Sequence, residues 1–452
     1  MMYLSLCLIV KDENSYLQEW LDYHILLGVE HFWVYDNESS IPVKETLKPY
    51  LDSGWVTVHT IEGKGRQLFA YDHCLRTHGS DSRWIGFIDT DEFIIPRQGI
   101  SLAEFLKPFE SFGGLGISSL FFGSGGNKIR PDVGQIAGYQ WRGPDTLSLN
   151  RLVKMIVQPE KVILPISPHS FLFKEGWWCV NESGLRVDAQ RFPCHVEKIQ
   201  VNHYYTRSEE EWAKKLSRGR GDAGDPYSDI RWTRIHQFTN VKDGSAVGVI
   251  QKILDHSGSH LKVTKNNLLK VIHRVAMEKT HPPCVSPADG GIAVPREELA
   301  EYYNEVAIGP DLIEAGRLPE ARDFYARQIS KFPFDVTRYT NMAFVCLKLG
   351  DYQTTWSLLA QAWRIAPQSL FVLYGMIDYF YTIGDFAKVE KTSLLAAAQG
   401  ELEHVGIATL ALARWKLGKK EEARSLTQSL IPLLSESDRK EPLFKELLET
   451  VQ

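Results

Sequence analysis

Two periodicities of hydrophobic positions alternate over the first hundred residues. Continuous apolar runs such as "LSLCLIV" are typical of buried strands, whereas apolar side chains recur at helical spacing in segments such as 14–27. The pattern predicts strands at 4–10, 31–36, 55–61 and 83–89, and helices at 14–27, 43–52 and 66–77. Alternating strands and helices predict a mostly parallel, Rossmann-like α/β sheet, which binds ligands at the carboxyl ends of its strands.

The last third of the chain carries a repeat of 34 residues. Four glycines keep this spacing, in "AGRLPEA", "LGDYQTT", "IGDFAKV" and "LGKKEEA", namely Gly316, Gly350, Gly384 and Gly418. Glycine at a helix–helix turn with this period is typical of tetratricopeptide repeats, and we expect an all-α solenoid. The predicted domains are therefore 1–245 (α/β), 246–300 (helices and a Pro/Gly-rich linker) and 301–452 (repeats).

Composition and charge narrow the class of protein. The 452 residues are 44% hydrophobic and carry a net charge of −5, and no long basic block suggests a nucleic-acid partner. Six scattered cysteines without a CxxC pair fit reduced thiols, and no apolar run approaches the roughly 20 residues of a membrane span. We expect a cytoplasmic protein, and peripheral association with the inner face of a membrane is compatible with this.

Acidic groups gather where the predicted strands end. The first strand is followed by "KDE", the second by "DNESS" and the fourth by "DTDE", which contains Asp89 and Asp91. Neighbouring carboxylates disfavour each other's ionisation, and a divalent ion such as Mg²⁺ or Mn²⁺ can supply the missing charge. We therefore expect a metal shared with a diphosphate. Phosphatases of the haloacid-dehalogenase type also use D-x-D after a strand, but after the first one.

Four segments in sequence order carry a family resemblance. They are "SLCLIVKDENSYLQEWLDYHILLGVEHFWVYDNESS", "GRQLFAYDHCL", "WIGFIDTDEFI" and "VNHYYTRSEEEWAKKLSRG". Over roughly residues 3–222 the chain resembles bacterial GT-A glycosyltransferases of the family-2-like and family-92 type. The resemblance implies a GT-A fold and transfer of a sugar, with Mn²⁺ or Mg²⁺, from a nucleoside diphosphate (UDP is expected) to a hydroxyl of a glycan or other acceptor, with inversion.

The resemblance also assigns residues to the site. It implies that the metal is bound by Asp89, Asp91 and His203, and that the donor is held by Lys11, Glu13, Asp36, Gln67, Tyr71 and Asp89. The basic stretch with Lys215, Arg218 and Arg220 is expected to close over the leaving diphosphate. Two alternatives stay open: His203 as a core histidine, and the basic stretch as a solvated helix end.

The general base is the least determined residue. We favour Glu182, because it follows the aromatic "WWCV" that could stack on a sugar, and His169 is the second choice. Asp145 and Glu175 are further candidates, and Glu182 could equally be a turn residue. Relatives often have His where Asn127 stands and Glu-Arg where Ala137 and Gly138 stand, which implies a different acceptor or a weakened site.

A second class of function competes with catalysis. The repeats could bind a protein partner or mediate self-association, and the α/β domain could then be a catalytically weak scaffold. The presence of Asp36, Asp89, Asp91 and His203 favours an active enzyme.

Overall fold

The computed structural model describes residues 1–218, 232, 235–236, 238–280, 289–367, 369–399, 402–434 and 438–451. The chain divides into two compact units, Met1–Leu299 and Ala300–Gln452. Arg220 and the linker segment 281–288, both named above, lie outside the described residues. No helix in the described ranges combines the length and the apolar character that crossing a bilayer requires.

The first unit is built on β-strands. Their bounds are β1 Met2–Val10, β2 His31–Asp36, β3 Val56–Thr60, β4 Ser82–Phe87, β5 Glu92–Pro96, β6 Gly114–Phe121, β7 Trp141–Arg142, β8 Val153–Val157, β9 Val162–Ser167, β10 Ser170–Phe173, β11 Cys179–Val180, β12 Arg186–Val187, β13 Ile199–His203, β14 Val241–Lys242 and β15 Asp289–Ile292.

The described strands form one large mixed sheet and two small two-stranded sheets, β9-β10 and β7-β14. The order in the large sheet is β12-β11-β6-β8-β4-β1-β2-β3-β15, and β13 pairs with both β5 and β6. β1 is parallel to β2 and β4, and β2 is parallel to β3, as the alternating pattern predicts. β8 is antiparallel to β4 and β6, and β13 is antiparallel to β5 and parallel to β6.

Helices flank the sheet and make up the second unit. Their bounds are α1 Asn14–Leu26, α2 Val43–Thr46, α3 Lys48–Asp52, α4 Gln67–His78, α5 Leu102–Leu106, α6 Gly134–Gly138, α7 Glu209–Arg218, α8 Ser245–His256, α9 Leu268–Glu278, α10 Glu297–Glu305, α11 Ile308–Glu314, α12 Leu318–Lys331, α13 Val336–Lys348, α14 Tyr352–Ile365, α15 Leu370–Thr382, α16 Phe386–Gln399, α17 His404–Lys416, α18 Lys420–Leu430 and α19 Pro442–Thr450.

The core of the first unit surrounds α1. Leu17, Trp20 and Leu21 of this helix are fully buried, because its apolar face lies against the sheet. Helix α9 packs on α1 as well, and Lys279 just after it donates to the carbonyls of Ile25 (2.8 Å) and Leu26 (3.1 Å). The helical part of 246–300 therefore packs into the first unit.

The second unit consists of antiparallel helix pairs. Gly316, Gly350, Gly384 and Gly418 lie at the turns within these pairs with φ between +71° and +83°, a region that only glycine enters without strain. The predicted fold class, an α/β domain followed by a helical solenoid, is confirmed.

Candidate active site

The acids of "DTDE" lie in the turn between β4 and β5. Trp20 of α1 fixes this turn, since its indole N–H lies 3.1 Å from the carbonyl oxygen of Asp89 and 2.9 Å from that of Glu92. β5 pairs with β13 so that Glu92 lies opposite His203. The acidic turn is thereby held at the carboxyl ends of β4 and β13.

The two carboxylate oxygens of Asp91 contact two different side chains. Lys215 Nζ lies 2.7 Å from Oδ2, and His203 Nε2 lies 3.5 Å from Oδ1. Burial raises the pKa of the Asp91 carboxyl, but Lys215 and then His203 more than reverse this effect, so the pKa lies well below its usual range. Asp91 is therefore an ionised carboxylate beside a buried ammonium.

Asp89 is bound on the other side of the turn. Its Oδ1 accepts from Gln67 Nε2 (2.8 Å), and its Oδ2 accepts from Lys154 Nζ (2.8 Å). Lys154 also reaches Glu92 Oε2 at 3.1 Å. Burial lowers the pKa of Lys154, but Asp89 and Glu92 outweigh it and raise that pKa well above its usual value. With 31% of its side chain exposed, Asp89 is the most open of the three acids.

The lysines change the electrostatic argument made from the sequence. On the sequence alone a divalent ion is expected to neutralise the adjacent carboxylates, whereas in the structure Lys154 and Lys215 already do so. The charge of the acids is therefore not by itself a reason to expect a metal. In the described part of the chain, three or more His, Cys, Asp or Glu side chains are nowhere grouped as a metal site would need.

The donor set nevertheless fits a divalent ion that is shared with a substrate. Asp91 Oδ1 and His203 Nε2 lie 3.5 Å apart on different strand ends, so both can reach one ion. Mg²⁺ and Mn²⁺ usually take only a few protein ligands and complete their shell with water and phosphate oxygens. Asp89, by contrast, faces Gln67 and Lys154.

Arg207 is a buried cation that the sequence reasoning did not assign. Its Nη1 donates to Glu13 Oε2 (2.7 Å), its Nε donates to Gln135 Oε1 (2.9 Å), and its guanidinium lies 3.7 Å from the ring centre of Tyr16. The residue adopts a left-handed φ of +53°, which is unusual outside glycine. Glu13, predicted to contact the donor, is buried and forms an ion pair with Arg207.

The ends of β1 and β2 form the other side of the candidate site. Val10 and Asp36 are paired at these ends, and Lys11 follows directly. Asp36 accepts the backbone N–H of Ser39 on Oδ1 (3.0 Å) and of Val43 on Oδ2 (3.1 Å). The carboxylate of Asp36 therefore shapes the loop after β2 and lies at the same sheet edge as the acidic turn.

Comparison with known families identifies the first unit. The family model of glycosyltransferase family 92 matches residues 3–238, just over half of the chain. The chain belongs to glycosyltransferase family 92. A family 92 protein of Ricinus communis is 29% identical over 224 residues, covering 48% of this chain and 37% of the relative.

Other similar proteins are also from plants. One from Oryza sativa is 25% identical over 272 residues (57% of this chain, 46% of the relative). A galactan beta-1,4-galactosyltransferase of Arabidopsis thaliana is 30% identical over 106 residues (21% and 20%). The chain spans less than half the length of these curated relatives. They give no support to a bacterial origin.

Solved repeat proteins resemble the helical part of the chain. A thermophilic TPR protein of Thermus thermophilus, TTC0263, shares 16% identity at a TM-score of 0.29 and covers 32% of this chain and 80% of its own. YrrB, a TPR protein with an unusual peptide-binding site, shares 13% identity at a TM-score of 0.26, covering 34% and 89%.

Glu182 does not belong to the charged cluster of this family 92 domain. Its carboxylate accepts the backbone N–H groups of Glu197 (2.8 Å), Lys198 (3.0 Å) and Ile199 (2.8 Å), where β13 begins. His203 lies four residues further along, or about 13 Å away at a strand's rise. The preference for Glu182 as general base is therefore corrected. Glu182 anchors a loop, in agreement with the alternative that it is a turn residue.

The aromatic "WWCV" lies further still from the cluster. Trp178 accepts the backbone N–H of Gly113 (2.8 Å), which directly precedes β6, whereas Phe121 at the other end of β6 lies beside His203. The eight residue steps from Gly113 to Phe121 span about 25 Å. Trp177 and Trp178 therefore lie at the wrong end of the strand to stack on a reacting sugar.

His169 lies at the tip between β9 and β10. Its Nδ1 lies 2.9 Å from the carbonyl oxygen of Val153, the neighbour of Lys154 in β8. A carbonyl only accepts, so Nδ1 carries the proton and the basic lone pair of the neutral ring is on Nε2. His169 thus lies beside the strand that delivers Lys154 to Asp89.

The remaining assigned residues fall into two groups. Gln67 lies between Asp89 and Tyr71, whose hydroxyl accepts from Gln67 Nε2 at 3.0 Å, so both belong to the cluster. Arg218 ends α7, and its side chain lies outside the described residues.

Asn127, a departure from the family pattern, has a local role. It donates from Nδ2 to the carbonyls of Ser124 (2.7 Å) and Gly138 (3.2 Å). Its amide therefore holds the loop after β6.

A sequence signal for Lys154 existed. A lysine in the middle of the apolar strand "VKMIV" is buried only when it is paired, so its position indicated an ionic partner.

Proposed function

We propose that the first unit transfers a sugar from a UDP-linked donor to a hydroxyl of a glycan, with inversion at the anomeric carbon. The observation that carries this is the convergence of Asp91, His203 and Lys215 at the carboxyl edge of the sheet, beside the more open Asp89. An ionised carboxylate held by an exchangeable lysine is suited to receive a diphosphate together with its counter-ion. Family membership supports the reaction class.

Asp91 and His203 are the residues that would hold Mn²⁺ or Mg²⁺. When bound, such an ion would supply positive charge to the departing diphosphate. Lys215 is held by Asp91 Oδ2 at 2.7 Å and donates to the Tyr205 carbonyl at 2.9 Å. We propose that its ammonium exchanges from Asp91 to the diphosphate oxygens, which adds electrostatic stabilisation where charge develops.

The donor's nucleoside is assigned to the ends of β1 and β2. Both oxygens of Asp36 accept backbone N–H groups, and a carboxylate retains further lone pairs for a ribose hydroxyl or a base. Lys11 follows β1 at the same edge. Gln67 and Tyr71 orient Asp89, and Arg207 holds Glu13 near the turn, so these residues position the site.

His169 is the proposed general base in place of Glu182. The hydrogen bond from Nδ1 to Val153 orients the ring and leaves Nε2 as the proton acceptor. In an inverting transfer this nitrogen takes the proton of the acceptor hydroxyl as the bond from that oxygen to the anomeric carbon forms and the bond to the diphosphate breaks.

The first donor and acceptor to test follow from two relatives. Two galactan beta-1,4-galactosyltransferases of Arabidopsis thaliana are 30% and 28% identical over 106 and 109 residues. UDP-galactose and a β-1,4-galactan oligosaccharide are therefore the first pair. A protein partner or self-association through the repeats stays a prediction.

The test is a transfer assay with the purified full-length chain. Sugar transfer is measured for UDP- and GDP-sugars with and without Mn²⁺, and the configuration of the new linkage is read by NMR. We expect Mn²⁺-dependent transfer of opposite configuration to the donor, lost in Asp91→Asn and kept in Glu182→Gln. If no donor is hydrolysed, is transferred or raises the melting temperature of the folded chain, the scaffold alternative replaces this proposal.

A further inference from the structure

A large aromatic side chain is exposed close to the charged cluster. Trp141 is 39% exposed, although most tryptophans of the first unit are buried. The backbone connects it to His203 in two steps: Phe122 N–H donates to the His203 carbonyl (2.9 Å), and Gly123 N–H donates to the Trp141 carbonyl (2.9 Å). His203 is paired with Phe121, whereas Trp141 lies opposite Gly123, so two strand spacings and a shift of two residues separate the backbones of His203 and Trp141 by about 12 Å.

Strand alternation places Trp141 on the same face of the sheet as His203. Phe121 is paired with His203 and contacts its ring at 4.7 Å between centroids, so both point to one face. Phe122 points to the other face, and it is bridged to Arg142. Because paired residues share a face and neighbours alternate, Trp141 points to the face of Phe121 and His203.

The loop beside Trp141 is held in one shape. The hydroxyl of Ser124 lies 2.9 Å from His236 Nε2, and Asn127 donates to the Ser124 carbonyl at 2.7 Å. Gly125 adopts a φ of +59°, and a Cβ atom there would approach Cδ1 of Trp141 to 3.0 Å. One edge of the indole is therefore packed against the glycine, and the side chain is ordered before any ligand binds.

We propose that Trp141 and the loop 123–127 form the subsite for the sugar ring of the acceptor glycan. One face of a pyranose presents C–H groups that pack on the electron-rich face of an indole, and the hydroxyl groups at its rim remain in water. A distance of about 12 Å corresponds to about two sugar rings, so a ring on Trp141 places a hydroxyl of a neighbouring ring toward the cluster. This inference rests on the proposed function, because it assumes that the reaction takes place at the Asp91–His203 edge.

A second exposed tryptophan provides a matched control. Trp177 is 37% exposed in the same unit, and the ammonium of Lys161 lies 3.7 Å from the centre of its ring. It lies at the amino end of β6, away from the cluster. Trp141→Ala, Trp141→Phe and Trp177→Ala are compared in the full-length chain, after their melting temperatures show that they are folded.

The experiment measures glycan binding and transfer separately. Dissociation constants are determined by calorimetry without donor, for oligosaccharides of β-1,4-galactan, β-1,4-glucan, α-1,4-glucan and β-1,4-mannan. The KM for acceptor and the rate of donor hydrolysis without acceptor are then determined for the pair that reacts. We expect Trp141→Ala to weaken acceptor binding about tenfold and Trp141→Phe about threefold, with donor hydrolysis unchanged within twofold and Trp177→Ala like wild type.

The outcomes separate this inference from the proposed function. Equal acceptor binding by wild type and Trp141→Ala overturns the subsite, as does an equal loss in Trp177→Ala or the absence of binding to every oligosaccharide. If the wild-type chain binds an oligosaccharide through Trp141 but neither hydrolyses nor transfers any sugar, the subsite stands and the proposed function fails.

Discussion

The two ends of β13 hold their carboxylates in different ways. At the beginning of the strand, Glu182 accepts three backbone N–H groups, which cannot move without unfolding the loop. At its end, Asp91 is held by side chains alone, Lys215 and His203. Burial and charge therefore do not by themselves mark a catalytic carboxylate. What matters is whether its partners can exchange for a substrate.

The largest expected effect comes from removing the buried lysine that neutralises the acidic turn. Lys154→Met leaves Asp89 and Glu92 without their shared cation, and we expect the free energy of unfolding to fall by about 3–5 kcal/mol. Urea unfolding at pH 7.5 measures this. Lys48, which pairs with Asp52 on the surface with 72% of its side chain exposed, is the control, and its Met variant is expected to change the value by less than about 0.5 kcal/mol.

A second substitution in the Lys154→Met variant checks whether Lys154 and Glu92 are coupled. In Lys154→Met/Glu92→Gln one of the two carboxylates that lost their cation is also removed, so part of the lost stability is expected to return. A double variant that is as unstable as the sum of the single variants would show that Lys154 and Glu92 are not coupled, which would contradict the described cluster.

Glu182→Gln tests the role of the carboxylate at the beginning of β13. The amide keeps one acceptor oxygen and turns an N–H₂ group toward backbone N–H groups, so we expect a loss of about 2–3 kcal/mol in the free energy of unfolding. Transfer per folded molecule is expected to stay within about twofold of wild type. A variant of wild-type stability that has lost transfer would restore Glu182 as the general base.

His24 is a buried titratable side chain that has no ionic partner among the described residues. Burial lowers the pKa of His24 to about 3, and its Nδ1 donates to the Trp20 carbonyl at 2.8 Å. The unfolded chain, with a pKa near 6.5, binds more protons between these values, so the stability present above about pH 6.5 is lost as the pH falls.

At pH 5 this loss amounts to about 2 kcal/mol from His24. His24→Gln cannot take up the proton, and its free energy of unfolding should therefore decrease less between pH 7.5 and pH 5 than that of wild type. Identical pH dependence of the two proteins would contradict the buried neutral state of His24.

The fold could be predicted further than the site. Strands with uninterrupted apolar runs, such as β1 and β2, and helices with one apolar face, such as α1, are local properties of the sequence, as is the glycine period of the repeats. The region from β6 to β13 has short strands and irregular loops, so no register could be predicted there. Nothing in the sequence could therefore show that Glu182 and His203 lie at opposite ends of β13.

The acidic turn was recognised from its residues, but the neutralisation of its carboxylates by two lysines was not. Lys154 lies 65 residues and Lys215 124 residues away from the acids they bind. Only the order of strands brings β8 beside β4 and α7 over the turn. The inferred need for a metal followed from counting the acids without these two cations.

The central claim is that Asp91 and His203 bind a divalent ion together with the donor's diphosphate. Calorimetric titration of UDP into the full-length chain, with and without Mn²⁺, tests this most directly. The account predicts that Mn²⁺ strengthens UDP binding at least about tenfold in wild type and in Glu182→Gln, and that Asp91→Asn abolishes this effect. UDP binding that is equally strong without Mn²⁺ and in Asp91→Asn would contradict it.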